Sequence, residues 1–228
     1  MLIDATAAEA HLAAADPVIA SLIASHGPFG LRVDAEDPFL SLSRAIVFQQ
    51  LSGKAAGTIF RRYLALFDET GAVPVDNVPR TDPAWTRMAE RAPQPEAVLA
   101  KTDEELRAVG LSRQKVAALR DLSLHFAEGN LSADLFEQWD DEEIATHLTR
   151  VRGIGRWSAE MYLMFHMGRP DVLPVNDVGI NRAIQKLYSL DSAPKAPDVL
   201  RIGGAWRPWA TVACWYLWRS EDVSVPGG

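Results

Sequence analysis

Cysteine is almost absent from this chain of 228 residues, since Cys214 is the only one. A single cysteine excludes a disulfide within the chain, a cysteine-ligated zinc site and a four-cysteine iron–sulfur cluster. Long apolar runs are also absent, because no stretch approaches the roughly 18 residues of a membrane span. The first residues, MLIDATAAEA, lack the basic region of a signal peptide. We therefore expect a cytoplasmic protein without a membrane partner.

Alternating patterns typical of strands are scarce, whereas apolar residues recur at helical spacing along most of the chain. The sequence therefore predicts an all-α fold of many short helices. The predicted helices cover residues 5–25, 38–53, 54–68, 95–100, 103–109, 112–127, 132–138, 141–150, 155–166, 177–188, 194–201 and 206–220. The proline-rich segment GAVPVDNVPRTDPAW (71–85) is the clearest break and a candidate boundary between two lobes.

The charge balance is acidic, with 30 acidic and 23 basic residues and a formal net charge of -7. Such a protein does not coat polyanions non-specifically, because its overall field repels phosphate. A local basic patch can still override this average. One such patch is formed by Arg150, Arg152 and Arg156, which lie within seven residues of one another.

The same region, VRGIGRW (151–157), predicts a tight turn between two helices. Asp140 or Asp141 caps the first helix, Gly153 ends it, and Gly155 opens the second. Because glycine has no Cβ, the N–H groups of the turn and of the following helix can approach an anion such as phosphate. The pattern also fits an ordinary glycine-terminated helix with solvated arginines.

A second candidate is Asp177, within DVLPVNDVGINRAIQKLY (171–188). It stands where a helix carrying Ile180, Ile184 and Leu187 begins, which makes it a good N-cap. The positive helix end keeps its carboxylate ionised. On position alone, this pattern favours a capping role over a catalytic one.

Four stretches, taken together in this order, carry a family resemblance. They are GLSRQKVAAL (110–119), VRGIGRWSAEMYL (151–163), LPVNDVGINRAI (173–184) and WRPWATVACWYLW (206–218). They resemble the helix-hairpin-helix DNA glycosylase superfamily, most closely its 3-methyladenine DNA glycosylase II branch. The similarity runs from about Asp16 to Ser220.

The resemblance implies an all-α, two-lobe fold with a cleft between the lobes. The implied hairpin-bearing lobe covers about 35–175, and the second lobe covers 1–34 and 176–228. Many relatives carry an additional N-terminal β-rich domain, which we do not expect here because the chain starts close to the catalytic core.

The implied activity is that of a monofunctional DNA glycosylase in base excision repair. It extrudes and removes alkylated bases, such as 3-methyladenine and 7-methylguanine, from double-stranded DNA. Asp177 matches the family's catalytic aspartate, which faces the sugar and stabilises oxocarbenium-like charge. Relatives that also cut the strand carry a lysine directly after the GxGR motif, where this chain has Trp157, so lyase activity is not expected. No cofactor is implied, and a monomer is expected.

The resemblance places Trp218 and Trp157 beside the extruded base, one stacking on it and the other lining the pocket floor. An electron-rich indole attracts an alkylated purine because alkylation makes that base cationic. Met161, Tyr162 and Phe48 complete the implied pocket. The family branch often has a tyrosine at the position of Met161, so the pocket shape is expected to differ here.

The resemblance also assigns DNA contacts to the hairpin and to segment 37–63. The implied contact residues are Gly153, Ile154, Gly155, Arg152, Arg156, Gln50, Ser52 and Lys54, with Arg44 as a further phosphate contact. Gln50 matches the wedge that fills the gap left by the extruded base, although QQLS (49–52) also fits a polar helix end. A monovalent cation at the hairpin carbonyls near Leu148 and Val151 is also implied.

Other aromatic and histidine residues have simpler interpretations. We expect Trp206, Trp209 and Trp215 to pack in the core. The histidines His125, His147 and His166 do not cluster with acidic residues at metal-ligand spacing. Two other functions stay open: a non-catalytic DNA damage-recognition module, and a glycosylase for mismatched or oxidised bases.

Overall fold

The computed structural model describes residues 3–33, 36–68 and 93–221. Within these ranges every regular element is a helix, which confirms the predicted all-α class. The proposed break at 71–85, with Trp85, lies outside the described residues. In the described ranges, no helix is long and apolar enough to cross a membrane.

The described helices follow the predicted ones in chain order, mostly with shorter limits. Their bounds are α1 (Ala5–Ala15), α2 (Pro17–His26), α3 (Pro38–Phe48), α4 (Gly53–Ala65), α5 (Pro95–Ala100), α6 (Asp103–Ala108), α7 (Arg113–Ala127), α8 (Ala133–Gln138), α9 (Asp141–Leu148), α10 (Arg156–Phe165), α11 (Val178–Leu187), α12 (Ala196–Gly203), a short 3-10 helix (Gly204–Trp206) and α13 (Ala210–Ser220).

The predicted helix over 5–25 is wrong, because the chain forms two helices that meet at Asp16. Asp16 is extended (φ -144°, ψ 112°), and Pro17 follows it as the first residue of α2. Proline disfavours a helical conformation in the residue before it but fits the first helical position. The Asp16 carboxylate caps α2 by accepting the N–H groups of Val18 and Ile19.

Two other predicted limits are also wrong. The helix predicted from 38 to 53 ends at Phe48, and the next helix begins at Gly53. The helix predicted from 206 begins at Ala210, after the short 3-10 helix. In the second case Pro208 interrupts the pattern, because a proline inside a helix removes a hydrogen-bond donor.

The described chain divides into two compact units. Unit 1 comprises Met1–Ala35 and Glu160–Gly228, and unit 2 comprises Glu36–Ala159. Helix α10 runs across the second limit, so its first turn belongs to unit 2 and its remainder to unit 1.

The core of unit 1 is built around α13, in which every residue from Ala210 to Trp218 is buried. Helices α1, α2 and α11 pack against it. The buried Asp16 carboxylate joins three parts of this unit, since its Oδ2 accepts Tyr188 Oη at 2.5 Å and Trp206 Nε1 at 2.8 Å. These hydrogen bonds compensate for removing the charge from water.

The core of unit 2 is built around α7, which packs against α3, α5 and α6. Phe126 on α7 makes edge contacts with Phe39 and Phe136, with ring centroids 5.3 and 6.3 Å apart. Arg120 on the same helix donates to Asp103 and to the backbone carbonyl of Leu99. Apolar packing and these bonds together fix α7, on which the hairpin turn rests.

Candidate functional site

The predicted hairpin forms between α9 and α10. Asp140 caps α9 in a capping box, and the carbonyl of Gly155 accepts Ala159 N–H at the start of α10. Gly153 lies between the helices with φ +83°, in the left-handed region that glycine tolerates. A Cβ on Gly153 would lie 3.2 Å from Ala118 Cβ, so the turn packs closely on α7. This is the turn that VRGIGRW predicts.

The turn uses some of its N–H groups internally and exposes both glycines. Arg152 N–H donates to Asp121 Oδ2 at 2.7 Å, and Ile154 N–H donates to Val151 O at 3.1 Å. Gly153 and Gly155 are exposed. Within the described residues, neither the Gly153 N–H nor the Gly155 N–H donates to an acceptor of the protein. The geometry therefore suits an external anion at the glycine amides.

The three hairpin arginines, Arg150, Arg152 and Arg156, are all exposed, which places them on the surface around the turn. Arg156 donates to Glu142 at 2.7 Å. This hydrogen bond lowers the pKa of the exposed Glu142 carboxyl below its usual value. Glu142 therefore partly compensates the local positive charge of the hairpin.

The two carbonyls that the resemblance implies for a monovalent cation each accept one hydrogen bond within the turn. Leu148 O accepts Val151 N–H, and Val151 O accepts Ile154 N–H, both at 3.1 Å. A carbonyl oxygen has two lone pairs, so each of these oxygens retains a position for a second partner. Carbonyl oxygens are suitable ligands for a monovalent cation. Among the described residues, no group of three or more histidine, cysteine or acidic side chains is placed to hold a metal ion.

The predicted wedge lies in a loop between α3 and α4. Gln50 is exposed and has φ +58°, which is uncommon for a residue other than glycine. Ser52 and Lys54, the two predicted phosphate contacts, are exposed at the start of α4. Arg44 lies earlier on α3 and pairs with Glu36 at 3.3 Å. The polar helix end that QQLS also predicts is therefore present, and its tip is accessible.

Asp177 caps α11, as predicted, and is also bonded to an aromatic residue distant in sequence. Its Oδ1 accepts Ile180 N–H at 2.8 Å and Trp218 Nε1–H at 2.9 Å. The residue is only 7% exposed, so its carboxylate is largely withdrawn from water. Two donors on one oxygen fix the orientation of the carboxylate.

Gly179 makes this arrangement possible. A Cβ on Gly179 would lie 3.1 Å from Trp218 Cδ1 and 3.2 Å from Asp177 Oδ1. A larger residue would therefore require the indole or the carboxylate to move by a few tenths of an ångström. Phe165 packs against Trp218, with ring centroids 5.6 Å apart. Unit 1 thus brings together a fixed carboxylate and two aromatic rings.

The structure places the other predicted pocket residues in several environments. Trp157 is 45% exposed at the start of α10. On the same helix Tyr162 is buried and stacks on His166, with centroids 4.6 Å apart, and Met161 is partly exposed. Phe48, at the end of α3, packs edge-on against a ring of α4. The roles of these residues at a base stay predictions.

The expected core tryptophans are mostly buried. Trp206 is inaccessible and Trp215 is 8% exposed, whereas Trp209 is partly exposed at the start of α13. His147 stacks on Trp139 with ring centroids 4.0 Å apart. These contacts are structural, in line with the interpretation of the tryptophans as core residues.

Sequence reasoning missed Gln49, although its neighbour was singled out. The Gln49 side-chain amide donates to Gly153 O at 2.9 Å and so joins the loop after α3 to the hairpin. Lys115 Nζ donates to Val47 O at 2.6 Å at the end of α3. Partial burial lowers the pKa of Lys115 below its usual value. The pair of glutamines in FQQLS was the available signal, but the local sequence does not show which of the two bonds to the hairpin.

The sequence is similar to those of known proteins. Residues 43–208 match the family described as HhH-GPD superfamily base excision DNA repair protein. DNA-3-methyladenine glycosylase 1 of Schizosaccharomyces pombe is 29% identical over 223 residues, which cover 96% of this chain and 89% of that protein. DNA-3-methyladenine glycosylase of Saccharomyces cerevisiae is 35% identical over 157 residues, covering 68% and 48%.

Two solved structures are similar in fold and sequence. One is the 3-methyladenine DNA glycosylase Mag1 of Schizosaccharomyces pombe in complex with abasic DNA, with a TM-score of 0.75 and 30% identity, covering 95% of this chain and 97% of that one. The other is DNA-3-methyladenine glycosidase from Bacillus halodurans, with a TM-score of 0.73 and 32% identity, covering 93% and 90%. The family match covers most of the chain, including the hairpin and Asp177. It confirms the resemblance inferred from the residues. The chain belongs to the HhH-GPD superfamily of base excision DNA repair proteins.

Proposed function

We propose that this protein is a monofunctional DNA glycosylase that extrudes and excises alkylated bases, of the 3-methyladenine and 7-methylguanine type, from double-stranded DNA. The observation that carries the proposal is the buried Asp177 carboxylate, oriented by Trp218 and by Ile180 N–H. Membership of a base excision repair superfamily supports it, as do relatives named DNA-3-methyladenine glycosylase. The proposal includes a monomeric state and a cytoplasmic location.

The proposed mechanism depends on where positive charge develops during the reaction. Cleavage of an N-glycosidic bond builds positive, oxocarbenium-like charge on the deoxyribose. A carboxylate that is already oriented and shielded from water stabilises this charge without reorganising during the reaction. Asp177 meets both conditions, because it is buried and its Oδ1 is fixed by two donors. It also orients the attacking water in this proposal.

The substrate class follows from the aromatic character of the site. Alkylation at N3 or N7 makes a purine cationic and a better leaving group, so little additional activation is needed. Indole faces attract such a cation. In unit 1, Trp218 is bonded to the carboxylate and Phe165 packs against Trp218. Base contacts by Trp157, Met161, Tyr162 and Phe48 are part of the same proposal.

The hairpin supplies DNA binding in this proposal. The amides of Gly153 and Gly155 bind a backbone phosphate, and Arg152 and Arg156 add positive charge nearby. A monovalent cation held by Leu148 and Val151 carbonyls would add charge at the same turn when bound. Local charge of this kind compensates for the net charge of -7.

Strand cleavage is not part of the proposed activity. Lyase chemistry needs an amine that forms a Schiff base with the sugar. The position after the GxGR motif holds Trp157, whose indole is not a nucleophile of this kind. The protein is therefore expected to leave an intact strand with an abasic site.

Base release from defined duplexes tests the proposal. Alkylated, oxidised and mismatched duplexes are incubated with the protein and then either treated with alkali or left untreated. We expect cleavage of the alkylated duplex only after alkali, with free methylated purines in solution. Release from oxidised or mismatched duplexes alone would contradict the proposed substrate. An adduct trapped by borohydride would contradict the monofunctional mechanism, and binding without any release would indicate a damage-recognition module.

A further inference from the structure

The loop between α3 and α4 has an unfavourable backbone conformation at an exposed tip. Gln50 has φ +58°, and both Gln50 and the apolar Leu51 are exposed. A residue other than glycine in this region carries a conformational cost, so it persists where surrounding contacts hold the loop in place. The contacts that hold this loop therefore determine where its tip lies.

Two side-chain hydrogen bonds within unit 2 connect this loop and the end of α3 to other segments. Lys115 Nζ, from α7, donates to Val47 O at 2.6 Å in the last turn of α3. The Gln49 amide donates in the other direction, from the loop to Gly153 O of the hairpin, at 2.9 Å. Gln49 and Gly153 are 104 residues apart in sequence, so the bond fixes two distant segments relative to each other.

We propose that Gln49 is a positioning residue for base extrusion: its bond to Gly153 O holds the exposed loop tip, Gln50 and Leu51, at a fixed place relative to the glycine turn. The inference rests on the proposed function, in which the turn binds a backbone phosphate. Once the turn has bound the strand, the Gln49 bond determines where the tip meets the duplex. Gln49 acts through Gln50 and Leu51 and needs no contact of its own with the base.

The chemistry of the bond explains why a glutamine is needed. Gly153 O is an acceptor, and a side-chain amide supplies an N–H donor at the right reach. Glutamate has the same shape but only acceptors when ionised, so Gln49→Glu replaces attraction by repulsion. Gln49→Ala removes the donor without adding charge. Gln138→Glu, at the exposed end of α8 in the same unit, adds the same charge far from the loop in sequence and is the matched control.

The decisive measurement separates extrusion from chemistry. Fluorescence of 2-aminopurine placed beside an abasic analogue reports unstacking of the duplex by the protein. Base release in single turnovers is measured with the alkylated base in a complete pair and with the same base opposite an abasic site, where extrusion is easier. The wild-type protein and the variants Gln49→Glu, Gln49→Ala and Gln138→Glu are compared.

We expect Gln49→Glu to reduce the fluorescence increase and to slow release from the complete pair by about tenfold, the effect of losing one hydrogen bond and setting a carboxylate against the Gly153 carbonyl. The loss should be smaller for Gln49→Ala and largely recovered opposite the abasic site. Combining Gln49→Glu with alanine at both tip residues, Gln50 and Leu51, should slow release no more than the two alanine substitutions alone. Gln138→Glu should behave as wild type.

Other outcomes overturn the inference. Equal losses on both duplexes would mean that Gln49 supports the fold or the chemistry and not extrusion. Additive losses when Gln49→Glu is combined with alanine at both Gln50 and Leu51 would mean that Gln49 does not act through the tip. These outcomes differ from failure of the proposed function, in which the wild-type protein unstacks the duplex but releases no alkylated base.

Discussion

Trp218 and Asp177 are joined by a hydrogen bond of 2.9 Å from the indole Nε1 to the carboxylate Oδ1. The same oxygen caps α11 through Ile180 N–H at 2.8 Å. A capping role and the proposed catalytic role are therefore compatible, because the cap holds the carboxylate in one orientation. The two interpretations of this aspartate describe one geometry.

Asp177→Asn separates the two roles. The amide oxygen of asparagine can still accept both hydrogen bonds, and asparagine is as good an N-cap as aspartate, so the fold should be retained. The negative charge is lost, and base release should fall on the order of 100- to 1,000-fold. Single-turnover release and binding to a lesion duplex are measured together. Unchanged release would exclude this residue from the chemistry, and lost binding would indicate a structural defect.

Trp218→Phe tests whether the indole positions the carboxylate. Phenylalanine keeps an aromatic face for the base but cannot donate a hydrogen bond. We expect the single-turnover rate to fall by roughly tenfold with DNA affinity nearly unchanged. Trp206→Phe is the matched control, because Trp206 also donates to a buried aspartate of unit 1, Asp16.

The control should differ in a predictable way. Trp206→Phe should lower the free energy of unfolding by roughly 1–3 kcal/mol, because a buried carboxylate loses a donor. Its base release per folded molecule should stay that of the wild type. If both variants slow release equally, loss of stability and not positioning accounts for the effect of Trp218→Phe.

Local patterns predicted the parts of the site that depend on neighbouring residues. The capping residues Asp140 and Asp177 and the left-handed glycine at 153 follow from short-range rules. The same rules also predict the break at Asp16–Pro17. The apolar periodicity continues through this position and favours a single helix instead. Proline and a capping carboxylate outweigh periodicity there.

Long-range pairs could not be predicted in this way. Trp218 lies 41 residues from Asp177, and Gln49 lies 104 residues from Gly153. Neither pair produces a periodic signal, since each bond depends on how helices pack. The close approach at Gly179 also gives no signal in the sequence, because the atom nearest to an added Cβ belongs to an indole of α13. The resemblance named Trp218 but did not supply its bond to the aspartate.

The two hairpin glycines should respond differently to alanine. Gly153→Ala places a side chain at φ +83° and 3.2 Å from Ala118 Cβ, so it should destabilise the protein by about 1–2 kcal/mol. Gly155 has no such conformation, and its added Cβ would meet nothing within 4 Å. Gly155→Ala should therefore leave unfolding unchanged and weaken DNA binding, because the methyl group keeps a phosphate from the turn.

Chemical unfolding and DNA titration at several salt concentrations measure these two effects. Wild-type affinity in Gly155→Ala would argue against phosphate binding at the turn. A stability loss in Gly155→Ala as large as in Gly153→Ala would contradict the geometry described for the free protein.

Stability should fall in alkaline solution because of buried tyrosine hydroxyls. Burial, followed by the hydrogen bond to Asp16, raises the pKa of Tyr188, and burial also raises the pKa values of Tyr63 and Tyr216. An unfolded tyrosine ionises near pH 10, so the folded state holds its protons to higher pH. The resulting stability is complete below about pH 10 and is lost as the pH rises towards the folded-state pKa values.

Tyr188→Phe tests this explanation directly. The variant should be less stable at neutral pH by about 1–2 kcal/mol, because Asp16 loses the phenol as a donor. Above about pH 10 its free energy of unfolding should decline less steeply than that of the wild type, since one titrating group with a raised pKa has been removed. Urea unfolding at a series of pH values, with tyrosinate absorbance recorded in parallel, measures both slopes. Parallel curves would show that Tyr188 ionises alike in the folded and unfolded states, which would contradict a pKa raised by burial and by the bond to Asp16.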